Sequence, residues 1–398
     1  MGHRPGAKMQ ITTKSGYKAA VIGAGPAGLA CIGNLLDLLA EKGSKEKILW
    51  VDPEFGSGRL AAYPLVPSNT KVNLFTKFAL ECRSFDAHNS SLTFRNLLDN
   101  FDGLKGCHLK WASEMCKELT AALLKREQID IVRGRVQVLE RSKSDRIWRI
   151  ETDKDQNFES ELVFLATGSA PKSLQNIPGQ TIHLDDALNP EVLSTQICTD
   201  DIIGVYGSSH SAMLVLKNLL INCTVKAKLI VNYYRKNAKF AEYPDPINCP
   251  DKILHDNTGL KGEVADWVRT WNDLSPEDLK KFFNNALMRI KLNNNNINDT
   301  NINGDYLICN KNIFAVGYAR NPLPTIIYDS IPINPDSIDY DSLGNLQICP
   351  QNQSIDALYG YGIAFPEKVI DLTGEEEMAV GLWKFMKHVK RSLGRIVI

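Results

Sequence analysis

Two stretches of this chain place small residues where a backbone must come close to a charged group. Gly23, Gly25 and Gly28 stand in GAGPAG, directly after the apolar run KAAVI (18–22) and before an apolar stretch beginning at Leu29. Glycine permits the tight turn at the first position, close approach of backbone to a pyrophosphate at the second, and close helix–strand packing at the third. Pro26 and Ala27 lie in the turn itself, and the N-terminus of the helix that follows offers N–H groups to phosphate charge. Asp52 ends a second apolar run, ILWV (48–51), and is the acid expected to accept hydrogen bonds from an adenosine ribose. The second stretch, Gly207-Ser208-Ser209-His210-Ser211-Ala212, follows IIGVY (202–206) and keeps only the first glycine. Serine and alanine are still small enough to admit a dinucleotide, and His210 is placed to touch its phosphate. Arg235 and Lys236 lie just beyond the next apolar run, where a chain selecting NAD would carry an acid. Cations there suit the 2′-phosphate of NADP.

Holding these residues takes two strand–turn–helix–strand units, one over Lys18 to Asp52 and one over Ile202 to Lys236. Helices are expected from Leu29 to about Leu39 and from Met213 to Leu220. A further strand and turn, FLATGSAP, begins at Phe164. Ser275, Pro276, Glu277 and Asp278 form a helix-start signature, and Leu279, Phe282, Phe283, Ala286 and Leu287 follow at helical spacing. The segment from about 245 to 292 is therefore read as an added helical insertion, and the asparagine-rich 293–303 as a surface loop. Strand character returns at NIFAVGY (312–318), and a last helix is expected from about Glu375 to Arg391.

Composition narrows the function. The 398 residues suit two domains or one domain inserted in another. Basic and acidic side chains number 46 each, so no net field favours nucleic acid or an anionic membrane. No apolar run approaches the roughly 20 residues that cross a bilayer, and the polar start predicts no secretory signal. A cytoplasmic protein is expected. The nine cysteines are odd in number and dispersed, which suits a reducing compartment and the role of buried apolar residues. A flavin disulfide reductase needs two neighbouring thiols, one to attack and one to resolve, and no such pair exists here. No His/Cys/acid cluster has the spacing of metal ligands, so no metal is expected.

GAGPAGLA, ATGSAP, GSSHSA and AVGY occur in an order that resembles the two-domain FAD/NAD(P)H flavoproteins, and among them the flavin-containing and N-hydroxylating monooxygenases. The resemblance implies an α/β fold with two Rossmann-like dinucleotide-binding domains. The FAD domain would comprise 15–175 and 320–398, with the NAD(P) domain, 176–319, inserted in it together with the helical insertion. It implies FAD and NADP as cofactors, and a small-molecule substrate with oxygen as partners. Thr167 and Gly168 of the ATG turn and Gly362 of LYGYGIAFPE would touch cofactor. Tyr63 to Phe75 (YPLVPSNTKVNLF) is similar to the stretch that sets an asparagine beside the flavin, which makes Asn69 the matching residue. Gly179 and His183 match the fingerprint between the domains, where the histidine would orient the nicotinamide. Two features depart from the pattern: the fingerprint lacks its phenylalanine, and no aspartate follows Gly360 and Gly362. A monooxygenase acting on an amine or a sulfide is the leading expectation. An NAD(P)H-dependent reductase of a quinone or protein acceptor, and an FAD-holding redox sensor, share most of these residues.

Overall fold

The computed structural model describes residues 16–87, 96–97, 99–244, 252–292 and 309–396. β1 (Tyr17–Ile22) buries every residue but Lys18, as expected of a parallel strand covered on both faces. It leads into α1 (Pro26–Glu41) and β2 (Ile48–Val51), then α2 (Val72–Glu81), α3 (Leu109–Leu123) and β3 (Ile129–Val132). β4 (Val136–Arg141), β5 (Trp148–Thr152) and the first part of β6 (Asn157–Leu165) run antiparallel. The second part of β6 turns parallel to β1, so that β3, β2, β1 and β6 form a parallel core. After the short β7 (Ser169–Pro171), the chain builds a second sheet from β8 (Gln180–Ile182), β9 (Ile202–Tyr206), β10 (Leu229–Tyr234), β11 (Leu287–Lys291) and β12 (Lys311–Phe314). Its order is β11-β10-β9-β12-β8 and all its pairings are parallel. Between β8 and β9 lie α4 (Leu184–Ala187) and α5 (Pro190–Thr195), and α6 (His210–Lys217) follows β9.

The chain returns through β13 (Tyr318–Arg320), antiparallel to β7, and then rejoins the first sheet. β14 (Thr325–Tyr328) pairs with β4 and with β15 (Ile331–Pro332). β16 (Ile338–Tyr340), β17 (Asn345–Ile348) and β18 (Gln353–Gly360) form a meander, with β18 lying parallel to β6. The α/β architecture of two Rossmann-like sheets, one inserted in the other, is therefore present. No helix among the described residues is long and apolar enough to cross a membrane.

Two expectations need correcting. The segment 245–292 is not an appended helical block. Within its described part, α7 (Gly262–Arg269) and α8 (Pro276–Phe282) are the crossover from β10 to β11, and 287–291 is a strand of the second sheet. Ser275 does cap α8 by accepting from the Asp278 N–H at 3.1 Å. Asn284 and Asn285 then adopt left-handed backbone, φ +50° and +63°, which ends the helix before the apolar residues that had seemed to extend it. The C-terminal helix also starts later. Residues 367–370 and 376–379 form a hairpin, β19 and β20, in which EEMA alternates exposed and buried. Gly381, at φ +145°, then separates this hairpin from α9 (Leu382–Leu393). The loop 293–303 lies outside the described residues, as does Cys249.

The crossover is fastened to the C-terminal hairpin. Glu377, itself buried, accepts from the Asn257 N–H and side-chain amide, both at 3.0 Å, and from the Thr258 hydroxyl. Asp256 lies between Lys384, at 2.7 Å, and Lys261. His255, Asp371 and Glu375 also bring ligand-type atoms within 4.8 Å of one another, a cluster that sequence spacing could not reveal. Glu375 in this trio is already engaged by Lys239.

Candidate functional site

The first glycine turn is shaped by what a Cβ would meet. At Gly23, φ +110°, it would fall 2.3 Å from the Ala166 carbonyl oxygen. At Gly28 it would fall 2.0 Å from the Gly23 carbonyl oxygen, so only glycine lets α1 sit this close to the strand. Gly25 differs. It has ordinary backbone, φ −75°, and its added Cβ would meet nothing nearer than the Gly58 Cα at 3.9 Å. A Cβ there would touch Gly58 only at ordinary van der Waals distance, so the protein itself does not require glycine at this position. Pro26 occupies the first turn of α1, no side chain caps that terminus, and no acid stands in the first turn. These free N–H groups and the positive end of the helix dipole suit a phosphate. Gly362, φ +82°, approaches from the other side, its Cβ position lying 2.6 Å from the Ala27 methyl. The ATG turn adds Gly168, φ +71°, with the hydroxyls of Thr167 and Ser169 buried and unpartnered.

Asp52 stands at the end of β2, as expected, but its carboxylate is largely occupied by the protein. One oxygen accepts from the Ala24 N–H at 2.8 Å, and the other from Glu54 and Phe55 at 2.8 and 2.7 Å. It therefore locks the glycine turn to the strand end, and any ribose contact uses its remaining lone pairs.

The second turn repeats the plan. Gly207, φ +130°, would place a Cβ 2.3 Å from the Ala315 carbonyl oxygen. Ser209 is the N-cap of α6 without a side-chain bond, and the first turn of α6 again holds no acid. Ser208 and Ser211 are half-buried beside it. His210 opens α6, and both of its ring nitrogens are buried without a partner. Burial, helped by Lys261 and opposed by Glu263, lowers its pKa to about 4, so the ring is neutral at physiological pH. Arg235 and Lys236 are exposed beyond β10.

Between the two turns the structure makes a junction that sequence reading missed. Arg59 pairs with Asp185 at 2.5 Å and donates from Nε to the Ser169 carbonyl at 2.9 Å. Tyr63 donates to the other Asp185 oxygen at 2.8 Å, and its hydroxyl lies 3.5 Å from that of Tyr318. Burial, then Tyr318 and Asp185, push the Tyr63 hydroxyl pKa far up, so it stays a donor. His183 is the N-cap of α4, accepting from the Asp185 N–H at 3.3 Å. Arg59 and Asp185 are 126 positions apart, and no local pattern announces such a pair. Asn69 sits on an exposed turn whose base is Ser68, bonded to Thr70 and Cys107. Its side-chain oxygen accepts from Thr70 at 3.3 Å, while its amide nitrogen meets no protein acceptor among the described residues.

Residues 17–209 match the family model described as pyridine nucleotide-disulphide oxidoreductase. A protein of Paecilomyces divaricatus, the monooxygenase AgnR1, is 36% identical over 391 residues, which span 94% of this chain and 96% of that one. The chain belongs to the pyridine nucleotide-disulphide oxidoreductase family. Two solved structures share its fold across 96% of its length and 98% of theirs. One is a flavin monooxygenase from Stenotrophomonas maltophilia, at 11% identity and a TM-score of 0.57. The other is a bacillithiol disulfide reductase from Staphylococcus aureus, at 15% identity and a TM-score of 0.54. This family member is an FAD-dependent oxidoreductase, and the first turn fits that cofactor. It offers a glycine at residue 25 that packing alone does not require, an uncapped helix terminus and the orphaned Thr167 hydroxyl.

The two kinds of glycine separate in an experiment. Gly25→Val should fold but lose bound flavin, because only the ligand's space is filled. Gly28→Ala should instead destabilise the protein by about 1–3 kcal/mol or more through overpacking. Flavin absorbance and urea denaturation measure the two effects, and flavin retention by folded Gly25→Val would overturn the assignment of this turn.

His210 gives a pH signature. In the unfolded chain it binds a proton near pH 6.5, and in the folded chain only near pH 4, so the unfolded state gains the proton first on acidification. Stability should therefore fall between about pH 6.5 and pH 4 by up to about 3 kcal/mol, with no contribution from this group above that window. Urea denaturation of wild type and His210→Leu across this range should show the loss attenuated in the variant.

Proposed function

We propose that the protein is a monooxygenase that takes hydride from NADPH and transfers one oxygen atom to a small soft nucleophile, an amine or a sulfide. The observation carrying this reading is the convergence on Asp185. Tyr63, which opens the segment holding Asn69, and His183 of the inter-domain fingerprint both bond to that residue. The two segments that resemble monooxygenase motifs thus share one anchor at the junction of the sheets. The 36%-identical relative, named a monooxygenase, supports the same class. Among the described residues no cysteine is in a disulfide and six are buried, an arrangement that does not resemble a dithiol route for the electrons.

Bound FAD would supply the two-electron acceptor and, once reduced, the means of activating oxygen. The protein's own part is to bind, orient and shield. The α6 terminus and its serine-lined turn bind the nicotinamide dinucleotide by its pyrophosphate. Arg59, fixed by Ser169 and Asp185, holds the two halves in one geometry, and such alignment replaces a bimolecular encounter by a positioned one. Asn69, on its exposed turn, has an amide N–H free to donate, and a donor placed beside the oxygen to be transferred would stabilise developing negative charge. Of the oxygen so activated, one atom goes to the nucleophile's lone pair and the other leaves as water with the two electrons from NADPH, and the protein's part is to keep bulk water out of that site.

Incubation with NADPH, oxygen-18 gas and a panel of amines and thioethers tests the proposal. One labelled oxygen in the organic product is the expected result, and hydrogen peroxide as the sole oxygen product would overturn it. Asn69→Ala should lower the ratio of oxygenated product to peroxide by about a hundredfold, the effect of losing one preorganised donor, while NADPH oxidation continues.

A further inference from the structure

Beside β10 and β11 lies a cavity of about 310 Å³ lined by Tyr234, Asn237, Trp271 and Arg289, among others. Its chemistry is one-sided. The Arg289 guanidinium is stacked between two rings, 4.3 Å from the Tyr234 centroid and 5.3 Å from that of Trp271. Its Nη2 is buried without an acceptor, and so is the indole N–H of Trp271, a residue only 1% exposed. None of the ion pairs among the described residues includes Arg289. The one carboxylate lining the cavity, Asp273, is exposed and engaged by Asn272. A half-buried cation with a buried, unpartnered Nη2 and no counter-charge among the described residues, next to a second orphaned donor, is an unfavourable arrangement until an anion completes it.

The position of this cation within the second sheet identifies the anion. Arg289 donates from Nε to the Asn232 side-chain oxygen at 3.2 Å. The Asn232 amide donates in turn to the Gly207 carbonyl at 2.9 Å and the Val205 carbonyl at 3.1 Å. One side chain thus connects the guanidinium to the first glycine of the second turn, and Tyr234 is the last residue of β10. In a Rossmann unit the adenosine ribose is read at that strand end, and an arginine there accommodates a 2′-phosphate. Arg235 and Lys236 also stand near this end, but they are exposed, where solvent and salt weaken a charge contact.

We infer that the cavity at Arg289 and Trp271 receives the phosphate monoester on the adenosine ribose of NADPH, and that Arg289 sets the preference for NADPH over NADH. The inference rests on the proposed use of NADPH and names the residues that select it. The planar fork of Arg289 is already stacked, so little rotamer freedom is lost on binding. Its paired N–H donors match phosphate geometry, and the indole N–H of Trp271 adds a third donor.

Calorimetric titration of the FAD-loaded protein with adenosine 2′,5′-bisphosphate and with 5′-AMP reads this contact without turnover. Wild type should bind the bisphosphate tighter than AMP by at least about tenfold. Arg289→Gln should nearly abolish that preference and leave AMP binding unchanged, whereas Arg235→Ala should reduce it only a few-fold. Trp271→Phe keeps the ring and removes the N–H, so it should weaken the bisphosphate alone. This variant and Arg289→Lys, which keeps the charge but loses the fork, provide the test if Arg289→Gln fails to fold. A wild-type protein that binds the two ligands equally would overturn the use of NADPH itself. A wild-type preference that survives in Arg289→Gln, or in both reserve variants, would overturn the role of Arg289 and leave the use of NADPH standing.

Discussion

The carbonyl oxygen of Gly23 occupies the place where a side chain at residue 28 would have to begin. That single exclusion lets α1 lie against the parallel core of the first sheet, and much else depends on it. The helix terminus comes to rest over the turn, Gly25 meets only Gly58, and Gly362 can close in on Ala27 from the returning end of the chain. Asp52 then secures the turn from the neighbouring strand through Ala24. A residue expected to read a ribose thus turns out to spend most of its hydrogen-bonding capacity on the protein. The second sheet meets the same demand less strictly, with Ala212 at the position of the third glycine, 3.2 Å from where a Gly207 Cβ would lie.

What the sequence made legible was what lies close together along the chain. β1, the glycine turn, α1 and β2 follow one another within 35 residues, and each carries its own signal: a continuous apolar run, permissive glycines, then helical spacing. The helix start at Ser275 was equally local. Strands 129–165 carry little local signal, because β4 buries only Leu139 and β5 exposes every other residue, so that both resemble ordinary polar sequence. The run from Leu279 to Leu287 is ambiguous for a different reason. Its apolar residues suit both a helix and a helix followed by a strand, and two left-handed asparagines decide between them.

The candidate site divides along the same line. Glycines and N-caps are defined by backbone geometry and can be named from sequence. Arg59, Asp185, Trp271 and Arg289 matter only through partners brought to them by tertiary structure. The meaning of Arg289 in particular lies in the acceptors it lacks, and no spacing rule reports an absence. Asn69 stands between these cases: its neighbourhood resembles a known segment, while its free amide is visible only in the fold.

The way the second sheet is attached has a bearing on how the molecule holds together under stress. It enters and leaves through adjacent antiparallel strands, β7 and β13, so its two connections lie side by side, a topology that by itself would let it melt as an independent module. The contacts of Asn257 and Thr258 with Glu377, and of Asp256 with Lys384, tie its far side to the C-terminal hairpin and to α9. α9 in turn packs into the same core as α1. Opening the second sheet would therefore strip the buried acceptor Glu377 of its donors and disturb the helix that packs with α1. These ties predict that the two sheets lose their structure in concert and not one before the other.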